Sequence, residues 1–146
     1  MVDKSFEHVI PFHQIQTSTG EIYRFPLVTV FIIQPGGNRV QLPLLFDTGA
    51  DITTLRHDLF PLLGLAAWDV GTQRQTNTAG GDQPVTTYEY SARLEFLGKA
   101  KDCPVQLAVL PSNPLYLGLF GRAQMFQEFG FGFWEKDATL YVTSSP

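Results

Sequence analysis

The run from Leu42 to Leu55 starts as an apolar strand, stops at Asp47-Thr48-Gly49, and resumes as the β-branched Ile52-Thr53-Thr54-Leu55. Leu44-Leu45-Phe46 shows no polar alternation and reads as a strand covered on both faces. The carboxylate that follows is therefore delivered to the edge of a core and not to open solvent. Gly49 removes a Cβ where the turn has to tighten and a ligand has to approach, and Thr48 offers a hydroxyl to lock the loop. A carboxylate held in this way is the layout of a catalytic loop.

The flanking segments read as strands. Tyr23 to Ile33 is rich in β-branched and aromatic residues, and Gln34-Pro35-Gly36-Gly37-Asn38 is a hairpin turn that leads Val40 to Phe46 back antiparallel. Val85 to Phe96 follows a polar approach, Gln73 to Asn77, and a Gly-rich tip, Thr78 to Asp82. Within it Tyr88, Tyr90, Ala92, Leu94 and Phe96 alternate with Thr87, Glu89, Ser91, Arg93 and Glu95, which predicts an antiparallel strand with one face in water. Cys103 to Leu110 is a further strand, with Cys103, Val105, Leu107 and Val109 on one face. Leu115 to Phe120 is a short apolar strand, and the hairpin Glu135-Lys136-Asp137 leads into Ala138 to Val142. Short helices are expected over Arg56 to Leu63, broken by Pro61, and over Gly121 to Phe129. Residues 1–20 form either a loose arm or a strand pair closed by a turn at Thr19-Gly20, and 21–146 form a single domain.

A chain of 146 residues, 44% hydrophobic and 16% charged, can bury its own core. Its 13 Gly, 10 Pro and 12 Phe favour many short strands over a helical bundle. Net charge is −4 and the ten basic residues are scattered, so nucleic acid and anionic lipid are excluded as expected partners. No membrane-spanning apolar run or secretory leader is legible, which points to a cytoplasmic chain or else to a processed product whose leader is missing. The single cysteine, Cys103, reads as a small buried apolar residue. His57 and Asp58 have no third ligand at metal-binding spacing, and neither a metal nor a cofactor is expected.

Phe46-Asp47-Thr48-Gly49-Ala50-Asp51 resembles the active-site signature of aspartic proteases, in the form carried by the retropepsin branch. Leu119-Phe120-Gly121-Arg122 is similar to the apolar-apolar-Gly-Arg motif that retropepsins carry before their last helix. Thr78 to Asp82 stands where that family has its flap. The resemblance spans Tyr23 to Val142. It implies an all-β, retropepsin-like acid-protease barrel, one lobe per chain, with a flap hairpin and one or two short helices. The chain is longer than the viral members, and Ala123-Gln124 follows the Arg where an acidic or amide residue is common. It looks more like a cellular or bacterial stand-alone member.

The resemblance also implies roles. Asp47 is the catalytic acid or base, Thr48 bonds across a dimer axis, and Gly49 turns backbone groups toward substrate. Ala50 and Asp51, with Ala79, Gly80 and Gly81 of the flap, bind substrate; Gly121 and Arg122 support the site, Arg122 as the ionic partner of Asp51. Only one Asp-Thr-Gly occurs, so two carboxylates require a homodimer acting on a peptide or protein substrate. The strand around Leu140 to Val142, with the arm near Phe6 to Phe12, is the expected interface. A phosphotransfer aspartate fails on spacing, because Gly49 stands where a second acidic residue is needed. A catalytically silent dimeric β domain that binds extended peptides is the alternative.

Overall fold

Pro26 and the turn at Pro35 divide the first third of the chain into separate strands. A computed structural model describes residues 6–77, 83–111 and 113–144. Strands β1 (His8–Pro11), β2 (His13–Gln16), β3 (Ile22–Phe25), β4 (Leu27–Ile33), β5 (Arg39–Phe46) and β6 (Thr53–Arg56) precede a 3-10 segment over His57–Leu63. Strands β7 (Thr72–Thr76), β8 (Val85–Phe96), β9 (Lys99–Ala108) and β10 (Gly118–Phe120) follow. A 3-10 turn at Met125–Glu128, β11 (Phe129–Trp134) and β12 (Thr139–Ser144) complete the order.

The main sheet runs β4-β5-β10-β6-β9-β8-β7, and a further pairing of β4 with β8 closes six of these strands into a barrel. Closure removes open edges. The β4–β5 hairpin forms as its turn residues predict, with the Gly37 N–H donating to the Gln34 carbonyl at 2.8 Å. β10 lies parallel to β5 and antiparallel to β6, so the ends of β5 and β10 emerge side by side. Inside the barrel Val30, Leu44, Leu55, Phe96, Val105, Leu107 and Phe120 are fully buried.

Several expectations change. Leu42, Leu44 and Phe46 are buried, but Pro43 and Leu45 are half-buried, so β5 has one core face and one partly open face. Val109 is 60% exposed because β9 ends at Ala108, leaving only Cys103, Val105 and Leu107 of the expected row inside. Pro61 denies an α-helical ladder its N–H, and the segment settles as 3-10. After Gly121 the chain bends instead of entering a helix: Gln124 sits at φ 67°, and only one 3-10 turn follows. On the polar side of β8, Thr87 is buried, contrary to a face lying wholly in water.

The segment left open as arm or strand pair is bound to its own chain. β2 and β3 form a hairpin, and β1 pairs with β12, which pairs on its other side with β11. β12 thus has both edges satisfied within one chain, and an interface there has a sheet face to offer, not an open edge. Residues 1–5 of the expected arm lie outside the described residues. No helix among the described residues is long and apolar enough to cross a membrane.

Candidate active site

β5 carries Asp47 out of the barrel immediately after buried Phe46. The Asp47 N–H donates to the Phe120 carbonyl at 3.2 Å, which extends the β5–β10 pairing by one bond and fixes where the loop begins. The loop then turns on itself: the Ala50 N–H donates to the Asp47 carbonyl at 3.2 Å, and the Gly49 N–H to Asp47 Oδ1 at 2.9 Å. Gly49 does not use a left-handed backbone here. Its lack of side chain matters for space, since a Cβ would stand 3.2 Å from Asp47 Oδ1. Asp47 is half-buried, and its Oδ2 makes no hydrogen bond among the described residues. One oxygen is therefore anchored by a backbone donor while the other remains an available acceptor.

The segment after β10 clasps the far side of the loop through backbone groups. Arg122 N–H donates to the Ala50 carbonyl at 2.9 Å and Ala123 N–H to the Asp51 carbonyl at 2.8 Å. The Gly121 N–H donates to Thr53 Oγ1 at 3.0 Å, in a buried setting. Gly121 is required by contact: a Cβ would lie 2.6 Å from both the Ile52 carbonyl oxygen and the Thr53 nitrogen. So Asp47, Thr48, Gly49, Ala50, Asp51, Gly121 and Arg122 are gathered in one place, with Thr48, Gly49, Asp51 and Arg122 exposed. No ion pair joins Asp51 to Arg122 among the described residues. What joins their segments is the backbone. Ala79, Gly80 and Gly81 lie outside the described residues, as does the whole tip Thr78 to Asp82.

Sequence reasoning missed Thr53, Thr54 and Gln106. Thr53 supplies the acceptor for Gly121, and Thr54 Oγ1 donates to the Ile52 carbonyl at 3.1 Å while receiving Gln106 Nε2 at 2.7 Å. A signal existed for Gln106, the one amide in the apolar run Cys103 to Leu110.

The other reactive side chains are occupied elsewhere. Cys103 is buried in β9, and burial, followed by the neighbouring Asp102 charge, pushes its thiol up to about 11, which leaves no thiolate nucleophile near neutrality. Asp58 accepts a two-pronged contact from Arg56 at 3.0 and 2.6 Å, and this bonding holds its carboxyl below the ordinary aspartate range. The His57 ring packs against Trp68 at 5.4 Å. No group of three potential metal ligands occurs among the described residues.

In fold the chain is similar to a retropepsin-like aspartic protease from Rickettsia conorii, with a TM-score of 0.61 at 18% identity over 95% of this chain and 99% of that one. EIAV protease, solved with the inhibitor HBY-793, aligns at a TM-score of 0.46 and 21% identity over 74% of this chain and 88% of that one. No curated protein sequence matches. The first likeness makes the fold retropepsin-like. A family model described as aspartyl protease matches residues 29–123, from β4 through the Asp47 loop to the backbone clasp at Arg122, and with that span covering well over half its length the chain belongs to the aspartyl protease family.

Proposed function

We propose that this chain is an aspartic endopeptidase that acts as a homodimer, with one Asp47 from each protomer forming the catalytic pair. The observation that carries the reading is the Asp47 carboxylate itself, anchored at Oδ1 by the Gly49 N–H and open at Oδ2, at the half-buried mouth of β5. A single carboxylate of this kind supplies half of the chemistry. Two facing one another share one proton, because like charges at hydrogen-bond distance do not both ionise readily.

In the pair, the ionised Asp47 takes a proton from a water while the protonated one donates a hydrogen bond to the scissile carbonyl. The water oxygen bonds to the carbonyl carbon, and the resulting tetrahedral species collapses as the leaving nitrogen accepts a proton. Products are one carboxyl and one amine, and no cofactor enters. In this reading the exposed Thr48 hydroxyl bonds to the partner's loop, Gly49 and Ala50 present backbone to the substrate, and the exposed Asp51 binds substrate toward its end. Gly121 and Arg122 hold the loop through the backbone. Ala79, Gly80 and Gly81 are assigned to substrate contact by their place in the sequence alone.

Turnover of an unfolded protein or peptide library by wild type, with Asp47→Asn folded but inactive, is the expected result. Specific activity should fall on dilution through the dimer dissociation constant. An active monomer by sedimentation, or activity retained in Asp47→Asn, would overturn the proposal. Because only the singly protonated pair has both an acid and a base, kcat/KM against pH should be a bell on the acidic side of neutrality. It should persist when His8, His13 and His57 are all replaced. Peptide binding without cleavage by wild type would favour the silent β domain.

A further inference from the structure

Side chains on a strand alternate between faces, so Thr54, Gln106 and Thr87 lie on the side of the sheet opposite the core residues Leu55, Val105, Leu107 and Leu94. Such a side is usually wet. Here it is not: Thr87 is 1% exposed, and Thr54 and Gln106 are 6% exposed. Buried polar groups need partners, and these find one another across four strands. Gln106 Nε2 donates to Thr54 Oγ1 at 2.7 Å, and Thr54 in turn donates to the Ile52 carbonyl at 3.1 Å. On the other side Gln106 Oε1 accepts from Thr87 Oγ1 at 3.1 Å and from Thr76 Oγ1 at 3.4 Å.

The direction of this chain of bonds is set by Thr54. Its one proton is committed to Ile52, so it can only accept from Gln106, and the amide must face it with nitrogen. The opposite end of the amide is then an acceptor for the hydroxyls of β7 and β8. One end of the path is the residue following Asp51; the other is β7 and β8, the two paired arms of the Gln73 to Phe96 segment. A hydrocarbon of the same shape would fill the space without conveying any direction.

We propose that Gln106 is a positioning residue, which ties the strand leaving the Asp47 loop to the β7–β8 pair through one buried, directional hydrogen-bond path. Its effect on turnover rests on the proteolytic reading, whereas the tie itself can be read without turnover. Gln106→Glu is the sharpest variant. A protonated carboxyl reproduces the amide, donating to Thr54 and accepting from Thr87. An ionised carboxylate only accepts, which obliges Thr54 to turn its proton away from the Ile52 carbonyl.

The variants are compared with wild type for kcat and KM across pH, and by amide hydrogen exchange. Gln106→Glu should match wild type on the acid side and lose kcat earlier as pH rises. Gln106→Met should lower kcat about tenfold at every pH, in line with the cost of a slightly misplaced catalytic group, with KM changed by less than about twofold. Thr54→Val should behave like Gln106→Met. A Gln106→Glu profile that superimposes on wild type, or an unaltered kcat in Gln106→Met whatever its thermal stability, would overturn the proposal. If wild type cleaves nothing, the proteolytic reading fails by itself and exchange decides the tie. Faster exchange at the Arg122 and Ala123 amides in Gln106→Met, or in Gln106→Glu at the higher pH if the Met variant does not fold, supports it; unchanged exchange overturns it.

Discussion

Two sides of the Asp47 loop are held by different physics. Beneath its start is a nest of rings: Phe46 stacks on Phe126 at 4.9 Å and meets Phe131 at 4.7 Å and Phe133 at 5.1 Å, while buried Phe120 bridges Phe126 and Phe96. Beneath its end are Thr53, Thr54 and Gln106 with their satisfied hydrogen bonds. Ring burial is large in free energy but nearly indifferent to direction. The polar side contributes less net stability, because each bond replaces one to water, yet it fixes which way a carbonyl or an N–H points. The rings therefore decide where the loop is, and the hydroxyls decide how it is oriented. The proposed pairing of two Asp47 carboxylates would draw on both.

The comparison breaks most visibly on the aromatic side. Phe120→Ala removes a fully buried ring and should cost roughly 3–5 kcal/mol of unfolding free energy by chemical denaturation. A loss below about 1 kcal/mol would mean that the nest collapses around the gap and positions nothing. On the polar side, Thr53→Val keeps the shape but strands the buried Gly121 N–H, at about 1–3 kcal/mol, and Thr53→Ser should restore most of it. Equal stability of the Val and Ser variants would remove the distinction drawn here.

The exposed counterpart of these buried bonds is the Arg56–Asp58 pair, whose carboxylate is 48% exposed. Solvent screening limits Asp58→Asn to about 0.2–1 kcal/mol. The sign is fixed by the lowered folded-state value of Asp58, caused first by its bond from Arg56. Its contribution is present above the ordinary aspartate value of about 3.9, and it is lost as pH falls through the lower folded value. Wild type and Asp58→Asn should therefore differ at neutral pH and converge in strong acid; a difference that grows on acidification would reverse the assignment.

Sequence alone determined what neighbours along the chain can settle. The Gln34 to Asn38 turn, the alternation along Ser91 to Phe96, the break at Asp47-Thr48-Gly49 after an apolar strand, and the burial of Cys103 are local patterns, and each is present in the fold. Tertiary structure decided whatever depends on a partner far along the chain. Phe31 meets Glu95 to close the barrel, and Leu119 lies between Leu45 and Thr54, pairings that no window of residues contains. The same reason explains the misreadings. Thr87 looks like a residue for water until Gln106, nineteen residues on, covers it, and His8 to Pro11 could not be assigned until β12 supplied an edge. Backbone propensity is written over a few residues, but burial and hydrogen-bond satisfaction belong to pairs, and only the folded chain brings the pairs together.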